Sequence, residues 1–172
     1  MPDYHRLDPD EVGPEVAQRL CPVYRDAFGE EDPEMIDEFE ASVEFDAALP
    51  GFGMVVAEDR GRPVGFAYGY TVTADERWRR TAPVRRVLRR ADNFHVVMCA
   101  VTPGTADEPE DVRRRLLAEL LAGRAERHAT LHLPMGDATR AGYEMLGWRC
   151  IGSIRSGATA TVDILARELS PG

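Results

Sequence analysis

Two apolar runs, Phe52-Gly-Met-Val-Val-Ala-Glu and Pro63-Val-Gly-Phe-Ala-Tyr-Gly-Tyr-Thr-Val, flank Asp59-Arg-Gly-Arg62. Strand-forming segments joined by a short polar turn that contains glycine pair as an antiparallel hairpin. This hairpin constrains the chain more than any other segment, because everything around it must then pack on a sheet.

The flanking segments alternate in period. Tyr4 to Leu7 fits a first strand. Asp8-Pro-Asp-Glu opens a helix with acidic residues at its positive end, and Val16, Leu20, Val23, Tyr24 and Phe28 recur at helical spacing until Gly29 ends it. Asp32-Pro33 starts a second helix with Met35, Ile36, Phe39 and Val43 as its apolar face, stopped by Pro50-Gly51. Beyond the hairpin lies an arginine-rich stretch with Trp78, Val84 and Leu88 as inward positions, then a strand from Phe94 to Val101. A helix from Val112 to His128, a strand from Thr130 to Leu133, a short helix over 137–146 and strands near Trp148–Ile154 and Ala158–Leu165 complete the order. The series β-α-α-β-β-(helix)-β-α-β-α-β-β predicts an α/β (α+β) fold, a mixed, mostly antiparallel central sheet with helices on both faces. It forms a single domain over 1–172, with an arginine-rich helical insertion at about 74–92.

Composition narrows the function classes. A chain of 172 residues suits one core, burying about 70% of the surface its unfolded form exposes. No run of roughly 18 apolar residues is present to span a bilayer, and Met-Pro-Asp-Tyr-His-Arg lacks the order of a secretion signal, so a cytoplasmic location is expected. A net charge of −9 argues against DNA and against an anionic membrane surface. Arg77, Arg79, Arg80, Arg85, Arg86, Arg89 and Arg90 nevertheless make a local basic patch. Cys21, Cys99 and Cys150 are too few and too far apart for a disulfide framework or a metal clamp and are expected as reduced thiols, Cys99 as a small core side chain. His5, His128 and His132 lack the spacing of a metal site, as does His95-x-x-x-Cys99, so no metal is expected.

Residues 137–148, Asp-Ala-Thr-Arg-Ala-Gly-Tyr-Glu-Met-Leu-Gly-Trp, form a short helix with Tyr143 a turn before its glycine stop. The segment resembles the tyrosine-bearing helix that runs into Leu-Gly-aromatic near the C-terminus of the GNAT superfamily of N-acetyltransferases. The hairpin resembles that superfamily's second and third strands, and the element order is the same over about Pro22 to Leu169. The resemblance implies a GNAT-like fold and acetyl-CoA as co-substrate, transferring an acetyl or acyl group to a small-molecule or peptide amine.

The resemblance also implies site residues. The donor would lie between strands 94–101 and 130–134, with backbone donors near Cys99, Ala100 and Val101 polarising the thioester oxygen. Tyr143 matches the tyrosine that protonates the departing thiolate as general acid; a tyrosine that only packs between helix and sheet fits the same position. Asp137 stands one place out of register from the family's asparagine. Aligning Val101-Thr-Pro103 with the family's Val-x-Pro puts Met98 where many members carry a glutamate base, and a methionine takes no proton. His95, Glu44, Asp46 or a carboxylate of the inserted segment would have to serve.

The pyrophosphate loop departs furthest. Where the family presents glycine amides at a helix start, this chain has Glu108-Pro109-Glu110-Asp111. Thr105-Ala-Asp-Glu108 fits a capping box, or Glu108 caps with Pro109 at the first helical position, and either arrangement lets side-chain oxygens take the donors a phosphate needs. Each carboxylate at roughly 6 Å from a phosphate charge repels it by about 0.7 to 3 kcal/mol. Arg113 and Arg114, with Arg115, are the candidates to clamp phosphate from the side; the plainer reading is a solvated helix face balancing the acidic turn. This degenerate loop keeps two rivals open. One is a non-catalytic GNAT-like binding protein, and the other is a GNAT-fold enzyme with an acyl-carrier protein or aminoacyl-tRNA as donor. The arginine-rich segment would serve an acidic acceptor, a nucleotide or tRNA, or simply be an exposed helix face. A homodimer is compatible with the sequence.

Overall fold

In the computed structural model the described residues are 1–73, 91–104, 107–156 and 160–170. The arginine-rich insertion, with Trp78 and Arg77 to Arg90, lies outside them, as does Thr105. Seven strands, β1 (Asp3–Leu7), β2 (Gly53–Asp59), β3 (Arg62–Val72), β4 (Asn93–Val101), β5 (His128–Pro134), β6 (Arg149–Ser156) and β7 (Ala160–Glu168), form one sheet in the order β1-β2-β3-β4-β5-β7-β6. Four helices accompany it: α1 (Pro14–Phe28), α2 (Pro33–Ala47), α3 (Pro109–Leu121) and α4 (Arg140–Met145). The β4–β5 pair is parallel, whereas β1–β2, β2–β3, β5–β7 and β6–β7 are antiparallel. The expected mixed, mostly antiparallel sheet is therefore present.

The chain divides into two compact units, one of Met1–Tyr70 with Met98–Ala122, the other of Thr71–Val97 with Gly123–Gly172. In the first, the hairpin turns through Arg60 (φ 51°) and Gly61 (φ 75°). Two successive positive φ values give the primed turn whose twist matches that of its strands. Side chains alternate across β3. Phe66 faces Phe39 of α2, with ring centroids 5.7 Å apart, and Phe39 stacks on Tyr24 of α1 at 4.4 Å and 7°. The preceding residue, Gly65, faces α3: a Cβ there would lie 3.1 Å from the Ala100 carbonyl oxygen and 3.1 Å from Leu116 Cδ1. Helices thus cover both faces of this part of the sheet, and the α3 side is close enough that a side chain at Gly65 would press on the Ala100 carbonyl and Leu116.

Local signals decide most helix ends. Asp32 caps α2, its Oδ1 accepting from the Glu34 N–H at 3.0 Å. Gly29 closes α1 in the left-handed region at φ 64°, donating to the Arg25 carbonyl. Ile36, Phe39 and Val43 are buried as expected, but Met35 is 39% exposed. The expected helix from Asp8 to Phe28 is two pieces, a 3-10 turn over Pro9–Glu11 and then α1. Pro14 biases Gly13 to an extended conformation (φ −135°, ψ −168°), which breaks the run. The helix expected to reach His128 stops at Leu121, because Ala122 is extended and Gly123 takes φ 68°. β5 then begins at His128, two residues before Thr130.

In the second unit, β5 lies between β4 and β7. His128 to Pro134 pair with Glu168 back to Val162, and Asn93 to Val96 pair with His128 to Leu131. The parallel ladder comprises those four pairs, while β4 continues to Val101 and β5 to Pro134.

Candidate active site

Four groups of residues carry the sequence-derived site. The first is the segment around α4, which is shorter than expected, covering Arg140–Met145 rather than 137–146. Its entry is a turn in which Asp137 Oδ1 accepts from the Thr139 N–H at 2.7 Å and from the Thr139 hydroxyl. Asp137 therefore organises the approach to the helix. At the exit, Gly147 takes φ 88°, its N–H donates to the Glu144 carbonyl, and the Trp148 N–H donates to the Tyr143 carbonyl at 3.1 Å. This closure needs glycine in the left-handed region and places an aromatic directly after it. Tyr143 is 4% exposed, with its ring edge-on to the fully buried Trp148 at 6.2 Å and 88°. Packing between helix and sheet is thus an established role of Tyr143.

A polar network that sequence reasoning missed anchors α4. Arg140 donates to Asp163 at 2.6 Å and to Glu144 at 2.9 Å, and the Ser153 hydroxyl donates to the other Asp163 oxygen at 2.6 Å. Asp163 is 3% exposed, so its charge is held only because both oxygens are bonded. The available signal was a carboxylate inside the apolar β7 run Val162-Asp-Ile-Leu-Ala166.

The second group lies on β4. Ala100 and Val101 are buried and Cys99 is half-buried, so the expectation of Cys99 as a core side chain holds only in part. By contrast, burial and a bond to Glu40 push the Cys21 thiol up to about 12, which leaves it an inert thiol. His95 is buried, with Nδ1 3.3 Å from the Thr130 hydroxyl and its ring 4.9 Å from that of His132.

The third group is the start of α3. Glu108 occupies the cap position and Pro109 the first helical position, as expected, but the Glu108 side chain makes no capping bond. The Asp111 and Val112 N–H groups instead donate to the Glu108 carbonyl at 2.9 and 3.2 Å. The expectation that a side-chain oxygen satisfies this turn is therefore corrected for Glu108. Arg113 is buried and bonded to Glu110, Arg114 pairs with Asp111 at 2.6 Å, and Arg115 pairs with Glu119 at 3.5 Å while its guanidinium lies 5.2 Å from the Tyr4 ring centroid. Three adjacent arginines thus have three different environments, and Arg114 is the exposed one of the two proposed to grip phosphate. A cavity of about 480 Å³, lined in part by Tyr4, Asp107, Asp111, Arg114 and Arg115, opens beside this turn.

The fourth group concerns the base. Glu44 is exposed, whereas Asp46 is half-buried at the end of α2. Burial holds the Asp46 carboxyl above the usual carboxylate range, against the opposing pull of the Tyr68 hydroxyl. Tyr68, 1% exposed on β3, is pushed up by burial first and by the Asp46 charge second. Sequence reasoning named Asp46 without this partner. Among the described residues no group of three or more histidine, cysteine or carboxylate side chains has the geometry to hold a metal, and no helix is long and apolar enough to cross a membrane.

No protein-family model matches the chain, and no curated protein matches it by sequence. Solved structures do match it along their full length. A GNAT-family protein from Desulfovibrio desulfuricans superposes with a TM-score of 0.70 at 18% identity, covering 99% of this chain and 100% of that one. The aminoglycoside 6'-N-acetyltransferase from Enterococcus faecium gives 0.67 at 16% identity, covering 99% and 98%. NAA60 of Arabidopsis thaliana in complex with acetyl-CoA gives 0.65 at 14% identity, covering 98% of each chain. At these identities the likeness is one of fold, and the chain has the GNAT fold.

Proposed function

We propose that this GNAT-fold chain is an acyltransferase that carries an acetyl group from acetyl-CoA to the amine of a small molecule or peptide. The reading is carried by end-to-end fold likeness to acetyltransferases, one of them bound to acetyl-CoA. In this reading the thioester lies along β4 and β5, and backbone N–H groups near Cys99, Ala100 and Val101 stabilise the oxyanion as the tetrahedral intermediate forms. Tyr143 gives its proton to the departing thiolate. Arg113, buried against Glu110, shapes the start of α3, and Arg114 exchanges Asp111 for a phosphate oxygen of the cofactor.

The acidic turn favours one alternative in particular, a donor without a coenzyme A pyrophosphate. Titration of acetyl-CoA into the protein by calorimetry at low and moderate salt separates the two. Binding that weakens with salt and is lost in Arg114→Ala supports acetyl-CoA as donor. No heat at millimolar ligand overturns that assignment.

A further inference from the structure

Helix α4 has six residues, too few to be stable by its own hydrogen bonds, and its cap residue Thr139 makes no side-chain capping bond. Its place is therefore set by what it touches. Tyr143 is its buried residue and rests on Trp148. Burial of one ring is a single, largely non-directional attachment, about which a short helix can turn. Three residues earlier, on the same side of the helix, Arg140 supplies a second one. Its Nη1 donates to Asp163 at 2.6 Å, and Asp163 is itself fixed by the Ser153 hydroxyl of the neighbouring strand at 2.6 Å. Two attachments set the direction of α4 where one does not.

The strand register places this clamp. Asp163 of β7 pairs with Leu133 of β5, whereas the last pair of the β4–β5 ladder is Val96 with Leu131. Asp163 thus sits level with the part of β5 that lies beyond its ladder with β4. Leu133, Arg140, Tyr143, Ser153 and Asp163 all belong to one compact unit.

Stability alone is a poor account of the pair. A carboxylate that is 3% exposed has lost its hydration, and well-packed apolar residues in place of a buried ion pair often leave a fold as stable or more so. What the charges provide is a short bond of defined direction. We infer that Asp163 and Arg140 are positioning residues: they hold α4 at the angle that aims the Tyr143 hydroxyl at the sulfur of the departing thiolate. The inference rests on the acyltransferase reading, with Tyr143 as its acid. Both residues act through Tyr143 and not on the reacting atoms, and a misplacement of about 1 Å is enough to cost about 100-fold in rate.

The test measures thiol release from acetyl-CoA, with n-butylamine, spermidine and hydroxylamine as acceptor probes, in Asp163→Asn, Tyr143→Phe and the double variant. Asp163→Asn keeps the shape of the side chain and an acceptor for Ser153 but removes the charge that directs Arg140. It is expected to lower kcat about tenfold and to leave the KM for acetyl-CoA within about twofold, while Tyr143→Phe lowers kcat about 100-fold. In the double variant the Asp163 change costs less than about twofold more, because the group it positions is already gone. Arg140→Gln, at the more exposed end of the pair, gives the same pattern and serves if Asp163→Asn does not fold; Arg140→Lys recovers part of the rate. Losses that add in the double variant, or no loss in the clamp variants, overturn the inference and leave acyl transfer intact. Tyr143→Phe as fast as the parent overturns it too, since the clamp then has no acid to aim. A parent protein that releases no thiol with any probe removes the acyltransferase reading and this one with it.

Discussion

Two helices of this chain begin with the same chemical phrase, acid-Pro-Glu, and use it differently. In Asp32-Pro33-Glu34 the short carboxylate reaches the Glu34 N–H at 3.0 Å and caps α2. In Glu108-Pro109-Glu110 the longer side chain makes no such bond, and the first turn of α3 closes through the Glu108 carbonyl. One methylene separates the two residues, and aspartate at this position is the better cap. The end of α3 is therefore not sealed by its own cap, although Glu110 and Asp111 surround it with negative charge. α2 starts as a finished structural element, whereas α3 starts as a turn whose charges are set by side-chain pairs that can be exchanged.

Substitutions can break or sharpen this contrast. The largest effect is expected at Asp111→Asn, which removes a charge from the α3 turn and releases Arg114: acetyl-CoA affinity rises about tenfold by calorimetry, within the 0.7 to 3 kcal/mol expected per charge pair. Unchanged affinity means that phosphate does not visit this turn. Next comes Asp32→Ala, expected to cost about 1 kcal/mol in urea unfolding through loss of the cap. Glu108→Ala, in contrast, is expected within about 0.5 kcal/mol of the parent, and a cost equal to that of Asp32→Ala would end the distinction.

The smallest effect belongs to the other end of α2, where Asp46 sits near the negative pole of the helix dipole. Its raised folded-state pKa means that the stability it contributes is fully present below the unfolded aspartate pKa and is lost as pH rises through the folded value. Asp46→Asn is therefore expected to melt no lower than the parent at neutral pH, with any advantage fading on acidification. A clear drop in melting temperature at neutral pH would mark Asp46 as structural.

What sequence revealed follows the range of the interactions. The β2–β3 hairpin was legible because Arg60 and Gly61 decide it locally, and so was the cap of α2. The end of α3 was not, since the residues around Gly123 have helical composition, whereas the helix stops at Leu121 through Ala122 and Gly123 and β5 opens at His128, which pairs with Asn93 and Glu168. The same division applies to the site. Tyr143 was found from Leu-Gly-Trp beside it, but its companionship with Trp148 and the anchoring of α4 through Asp163 needed the fold. Arg113, Arg114 and Arg115 are identical as letters, and only the direction in which each leaves α3 buries one and exposes the next. Asp46 and Tyr68 influence each other from a helix and a strand on either side of β2, a separation along the chain that no periodicity spans.

The close approach at Gly65 has a consequence for synthesis. The surface that Gly65 presents to Val112 and Leu116 is made of residues that leave the ribosome long before α3 does. The unit containing them is interrupted after Tyr70 and resumes only at Met98. During translation the hairpin must therefore wait, with one side lacking its helix, until the chain has grown past Ala122. A nascent chain arrested before that point would be a natural client for a chaperone.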